Sequence, residues 1–107
     1  MPWLKQRTIA LTPDAQQELE EARNLFPRFD QVWEGITWLL ARDPRPAGSF
    51  LTTLHGKEFV MYGFEGDSVA KTPTMWLVYE YDDEQVAIHG INAMAASGPA
   101  DPEIDGE

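Results

Sequence analysis

The stretch that decides the fold is residues 75–91, which read MWLVYEYDDEQVAIHGI. Apolar residues alternate with others on both sides of the acidic run DDE, at the period by which a β-strand turns successive side chains to opposite faces. The pattern predicts a β-hairpin that turns at residues 82–84. In its first arm, one face carries Met75, Leu77, Tyr79 and Tyr81, and the other carries Trp76, Val78 and Glu80. Because both faces are largely apolar, we expect the hairpin inside a sheet.

The second arm of this hairpin follows the same rule. Strict alternation places one set of residues on one face, namely Val86, Ile88 and Gly90. It places the other set on the opposite face, namely Ala87, His89 and Ile91. Upstream, SFLTTL at residues 49–54 and EFVMYGF at residues 58–64 flank the turn signal HGK, so that two further strands are predicted.

Two helices are predicted before these strands. The first covers TPDAQQELEEARNLFP, residues 12–27, where Thr12 suits the N-cap and Pro13 the first helical position. The second covers FDQVWEGITWLLAR, residues 29–42, with Asp30 as its candidate cap. Each carries apolar residues at helical spacing. Because their connection is short, we expect an antiparallel helical hairpin.

The order of elements defines the fold class. A weak first strand, WLKQRTIAL at residues 3–11, precedes the helices, and four strands follow them. This order predicts an α+β fold, in which a mostly antiparallel sheet packs against the N-terminal helical hairpin. We assign residues 1–94 to a single domain. Residues 95–107 are acidic and show no periodicity, so we expect a flexible C-terminal tail.

Composition restricts the classes of function. The 107 residues fit one domain, and the absence of cysteine excludes disulfides and thiolate metal sites. With only two histidines besides, we expect no metal site and no cofactor. No apolar run approaches the length that spans a bilayer, and the N-terminus lacks the apolar core of a signal peptide. We therefore expect a cytoplasmic protein that does not bind membranes.

The charge of the chain bears on its partners. The net charge is -10, from 8 basic and 18 acidic residues. Phosphate contacts need clustered Lys and Arg, so the balance argues against a general binder of polyanions. A basic partner protein fits the charge better. The alternative is that the acidity only keeps the protein in solution.

A few residues could carry acid–base catalysis on a phosphodiester, which needs a base, an acid and a cation near the phosphate. His55 and Lys57 flank Gly56 in the predicted turn, and His89 lies in the last strand. The candidate catalytic residues are therefore His55, Lys57 and His89. The alternative is structural: a solvated turn for the first two, and a half-buried strand residue for His89.

Other residues could bind such a substrate. The cations available for phosphate contacts are Arg42, Arg45 and Lys71. The aromatic rings available for stacking on bases are Trp76, Tyr79 and Tyr81. For the aromatic residues we favour core packing with a hydroxyl at the rim, because basic residues are not interleaved with them.

Three short signals, in their order, resemble the RelE/ParE superfamily of bacterial toxin–antitoxin modules. They are LLARDPRPAG at residues 39–48, LHGK at residues 54–57 and LVYEYDDEQVAIHGI at residues 77–91. The resemblance covers most of the chain. It implies a RelE/ParE-like fold and a small toxin that a cognate antitoxin holds inactive. It also implies one of two targets, mRNA cleaved on the ribosome or DNA gyrase.

The chain departs from the ribosome-dependent members of that superfamily, which place an arginine in the strand that here reads MWLVYEY. Trp76 occupies its approximate position, and no Lys or Arg follows Lys71. Three functions stay open: a ribonuclease of the mRNA interferase kind, a gyrase inhibitor that needs only protein contacts, and a catalytically inactive protein-binding module. In an RNA-cleaving toxin, four cations should lie around one pocket, namely Arg42, Arg45, Lys57 and Lys71.

Overall fold

The computed structural model describes residues 6–96, and its elements follow the predicted order. They are β1 (Thr8–Leu11), α1 (Pro13–Leu25), α2 (Phe29–Arg42), β2 (Phe50–Leu54), β3 (Lys57–Phe64), β4 (Thr74–Tyr81) and β5 (Gln85–Met94). The α+β class is therefore confirmed. Residues 3–5 of the expected first strand and residues 97–107 of the expected tail lie outside the described residues.

The strands form one five-stranded sheet in the order β1-β5-β4-β3-β2. Neighbouring strands are antiparallel except for β1, which pairs in parallel with β5. The sheet is thus mixed, with three antiparallel pairings and one parallel pairing, in line with the expectation of a mostly antiparallel sheet. The hairpin of β4 and β5 lies inside the sheet, as its apolar pattern predicts, whereas β2 forms an edge.

Local signals explain where the helices begin. The Thr12 hydroxyl accepts a hydrogen bond from the Ala15 amide at 3.2 Å, which confirms Thr12 as the N-cap of α1. In α2 the prediction of Asp30 as the cap was wrong, because the helix begins at Phe29 and Arg28 occupies the cap position. Asp30 instead lies in the first turn, where its charge favours the helix dipole. Of the helices in the described part of the chain, none is long and apolar enough to span a bilayer.

Both helices pack on the same face of the sheet and close a single core there. From the helices, the core takes Ala15, Leu19, Ala22, Phe29, Val32, Ile36 and Leu40. From the strands, it takes Val60, Met75, Leu77, Tyr79, Val86, Ile88 and Ile91. The members on β4 are those that the alternation of residues 75–81 assigns to one face, so the sequence predicts the buried side of this strand correctly.

A β-bulge interrupts β5 and changes which residues face the helices. Val78 pairs with Gly90 while Tyr79 pairs with Ile88, so that His89 is an extra residue in β5. Beyond the bulge the alternation is reversed, and Ile91 is buried in the core. The prediction that Ile91 shares a face with Ala87 and His89 was therefore wrong.

Candidate functional site

The helices leave the second face of the sheet without a covering layer in residues 6–96. Met61 of β3 lies at its centre, paired with Phe50 of β2 and Val78 of β4. We define the uncovered face by its apolar residues Phe50, Phe59, Met61, Trp76 and Val78. Phe50 is 44% exposed and Trp76 is 37% exposed, so large apolar side chains on this face meet solvent.

Trp76 is held in place at one end of the uncovered face. Its ring lies over Gly63, where an added Cβ atom would be 2.6 Å from the nearest ring atoms. The Phe50 ring meets it edge-on, with ring centroids 6.3 Å apart. Glycine at position 63 therefore provides the space that the indole ring fills.

Charged side chains gather at the other end of the uncovered face, around Glu80. Its carboxylate accepts a hydrogen bond from the Lys57 ammonium at 3.2 Å. The Nε2 atom of His89 lies 2.8 Å from the same carboxylate. The Phe59 ring packs edge-on against the imidazole, with centroids 5.1 Å apart. We call Lys57, Phe59, Glu80 and His89 the Glu80 cluster.

The electrostatics of the Glu80 cluster follow from these contacts. The hydrogen bond from Lys57 is the largest cause that holds the pKa of Glu80 below its usual value. Burial opposes this shift, and the hydrogen bond with His89 assists it. Glu80 is therefore ionised at neutral pH and neutralises Lys57. Sequence reasoning missed Glu80 as a site residue, although the alternation of β4 already placed it on one face with Trp76 and Val78.

The structure brings together two of the three candidate catalytic residues, Lys57 and His89, and leaves out His55. His55 and Gly56 form the hairpin turn between β2 and β3, with positive φ angles of 53° and 78°. The His55 side chain is exposed and makes no hydrogen bond, ion pair or ring contact within residues 6–96. These observations fit the turn interpretation of His55.

The remaining candidate cations, Arg42, Arg45 and Lys71, lie apart from the Glu80 cluster. The Arg42 guanidinium lies 4.1 Å from the centroid of the Trp38 ring, and its Nη1 donates to the Trp38 carbonyl. The Nε of Arg45 donates to the Ser49 hydroxyl at 3.2 Å. Lys71 lies in the loop between β3 and β4. Within the described chain none of the three contacts the Glu80 cluster, so the four-cation pocket expected of an RNA-cleaving toxin does not form.

The candidate stacking residues also lie apart. Tyr79 is fully buried, and its hydroxyl donates to the Pro44 carbonyl at 2.6 Å, so its ring is part of the core and offers no stacking surface. Burial raises the pKa of the Tyr79 hydroxyl. Tyr81 is the last residue of β4, and the Arg7 guanidinium lies 5.7 Å from its ring centroid. Only Trp76, of these three aromatic residues, belongs to the uncovered face.

Among the cavities that sheet residues line in the described part of the chain, two lie beside β3. A cavity of about 380 Å³ between α2 and β3 is lined by Gln31, Val32, Gly35, Ile36, Leu39, Tyr62, Phe64 and Thr72. A second, of about 440 Å³, lies beside Trp76 and is lined by Gly63, Phe64, Glu65, Gly66, Thr74, Trp76, Met94 and Ala95. In the part of the chain that the structure describes, no group of three His, Asp or Glu side chains is placed to hold a metal ion.

Comparisons with protein-family models, with curated proteins and with solved structures find no match for this chain. The described residues combine an apolar sheet face without a covering layer, a neutralised charge cluster on that face, and a cavity at the end of the same face.

Proposed function

We propose that this chain is a RelE/ParE-like protein-binding module, whose uncovered face binds a partner polypeptide. The observation that carries the proposal is the set of large apolar side chains on that face. A sheet with one solvated face ordinarily alternates apolar and polar residues. Here Met61 and Val78 lie between Phe50, Phe59 and Trp76 on the solvent side. An exposed apolar patch of this kind, with a charged rim, is typical of protein interaction sites.

The charges support a protein partner over a nucleic acid. The chain has a net charge of -10, and Lys57, the cation beside the uncovered face, is paired with Glu80. RNA binding depends on cations that neutralise phosphates, and this face has little free positive charge. In a toxin–antitoxin pair the partner is the cognate antitoxin. In a gyrase-inhibiting toxin, the target protein itself also binds.

Co-purification with the protein encoded by the adjacent gene tests this proposal. A Met61→Asp change puts a charge at the centre of the uncovered face and should weaken binding at least ~10-fold, the scale of a central interface residue. Val69→Asp is the matched control, because Val69 is an 81% exposed apolar residue in a loop away from the face. Equal binding by both variants, with both folded by circular dichroism, would exclude the uncovered face as the binding site.

The Glu80 cluster favours a second candidate function, RNA cleavage. His89 and the Glu80 carboxylate lie 2.8 Å apart, and such a pair can remove the proton of a 2′-hydroxyl. The 2′-oxygen would then attack the phosphorus, and the 5′-oxygen would leave with a proton returned by the imidazolium. Lys57, whose ammonium lies 3.2 Å from the Glu80 carboxylate, would be the cation that stabilises the charged phosphorane.

Growth after tightly induced expression of residues 1–107 separates the candidates. Arrest that is lost in His89→Gln and Lys57→Met but kept in Lys71→Met would support RNA cleavage, with ribosome-bound mRNA as the substrate to examine. Arrest that none of these changes relieves would favour a protein target such as gyrase. Normal growth with abundant folded protein is the result expected of an inactive binding module.

A further inference from the structure

The cavity of about 440 Å³ at the end of the sheet, which we call the Trp76 cavity, has an unusual combination of walls. The indole ring of Trp76 and the thioether of Met94 supply polarisable apolar surface. Glu65, the first residue after β3, supplies a carboxylate, and among residues 6–96 it is the one ionisable residue that lines the cavity. An aromatic ring beside a carboxylate is the chemistry that holds an organic cation.

The walls of the Trp76 cavity are fixed by close backbone contacts. A Cβ atom at Gly66 would lie 2.3 Å from the Thr72 carbonyl oxygen, so only glycine fits there. The Gly66 amide donates to the Thr74 hydroxyl at 3.0 Å and ties the end of β3 to the start of β4. Thr74 in turn pairs with Met94 of β5. The cavity is therefore a feature of the strand ends and does not depend on flexible side chains alone.

The charge of the Trp76 cavity is not neutralised within the described chain. Glu65 makes no hydrogen bond and no ion pair in residues 6–96, unlike Glu80 on the same sheet. A phosphate or carboxylate ligand would be repelled here, whereas a cation would be attracted.

We propose that the Trp76 cavity binds a cationic side chain, an arginine or a lysine, that a basic partner protein presents. The identity of the partner rests on the function proposed above, because the cavity adjoins the uncovered face through Trp76. The cation would lie over the indole ring with its charge toward Glu65. Its binding would fix the register of the partner along the apolar part of the face.

Titration of the ¹⁵N-labelled chain 1–107 with N-acetylargininamide tests this directly, with N-acetylcitrullinamide as the neutral isostere. We expect saturable shifts of the Trp76 indole N–H and of the Thr74 and Met94 amides with the arginine compound, and none that saturate with citrulline. Added salt should weaken the arginine binding. Equal shifts with both compounds, or shifts centred on the Glu80 cluster, would overturn the proposal.

Two variants identify the groups responsible. Glu65→Gln keeps the shape of the cavity and should weaken arginine binding by about 1.5-fold to 5-fold, the range for an exposed charge pair. Glu58→Gln removes an exposed acid elsewhere on β3 and should leave the affinity unchanged. If the two variants weaken binding equally, arginine responds to net charge and the cavity is not its site. Because these readouts need no protein partner, they are separate from the Met61→Asp experiment, and either proposal can fail alone.

Discussion

The two faces of β4 differ in what covers them and only slightly in composition. Met75, Leu77 and Tyr79 are fully buried beneath the helices. Trp76 and Val78, between them in the sequence, are also apolar, yet Trp76 is 37% exposed and Val78 is only partly buried. Apolar side chains on the first face contribute to folding stability, whereas those on the second face are exposed to a partner. An apolar strand residue therefore cannot be assigned to the core or to an interface until its covering layer is known.

The largest expected difference between the faces is in stability. Leu77→Ala removes a fully buried side chain and leaves a cavity under the helices, so it should lower the free energy of unfolding by about 3 kcal/mol. Val78→Ala, on the uncovered face, should cost less than about 1 kcal/mol, because solvent already reaches this site. Urea unfolding followed by circular dichroism measures both values. Equal losses would mean that the second face is covered as well as the first.

Tyr79 offers a second measurement on the covered face. Tyr79→Phe removes the hydroxyl that donates to the Pro44 carbonyl at 2.6 Å and leaves this carbonyl without its side-chain donor. We expect a loss of about 1 to 2 kcal/mol in the free energy of unfolding. Tyr81→Phe, on the same strand but 40% exposed, is the matched control and should change stability little. A loss as large in Tyr81→Phe would contradict the assignment of Tyr79 as the buried donor.

Alkaline pH should act through the same hydroxyl. Burial raises the pKa of Tyr79 above its unfolded value near 10, so the folded state keeps a proton that the unfolded state gives up. The stabilising contribution is present in full below pH ~10 and is lost as pH rises further, by about 1 kcal/mol between pH 10 and 11. Urea midpoints at several pH values measure it. Tyr79→Phe should show a smaller alkaline loss than the unchanged chain, and identical losses would contradict burial as the cause.

Sequence reasoning predicts the features of this fold that depend on local interactions, and it misses those that depend on contacts between residues far apart in sequence. The N-cap at Thr12, the turn at residues 82–84 and the alternation along β4 are local, and the structure confirms each of them. The parallel pairing of β1 with β5 joins strands that are far apart in sequence, and no local pattern indicates it. The bulge at His89 has the same origin, because it depends on the register between β4 and β5.

The candidate site was predictable only in part. Strand register, which the sequence does not reveal, brings Lys57 of β3 and His89 of β5 to opposite sides of Glu80. Alternation had placed Glu80 on the face of Trp76, but its role depends on the partners that the register supplies. His55 adjoins Lys57 across Gly56 in the sequence, yet the turn leaves it without a contact to the Glu80 cluster in the described residues.

The smallest expected effect tests the electrostatics of the uncovered face. The pKa of Glu80 is lowered, mainly by the hydrogen bond from Lys57, so Glu80 stabilises the fold above its unfolded pKa of about 4.3. This contribution is lost as pH falls through the lower folded pKa. Because the side chain is 36% exposed, solvent screening should keep the contribution below about 0.5 kcal/mol.

An NMR titration of the Glu80 carboxyl carbon resolves a contribution of this size. In the unchanged chain the pKa should lie below that of an isolated glutamate, and in Lys57→Met it should rise toward that value. Lys71→Met removes a cation from the loop between β3 and β4 and should leave the titration unchanged. A response to Lys71→Met as large as that to Lys57→Met would assign the shift to the overall charge of the protein. A selective response would show that the uncovered face neutralises its own cation, which leaves its apolar residues as the main determinant of partner binding.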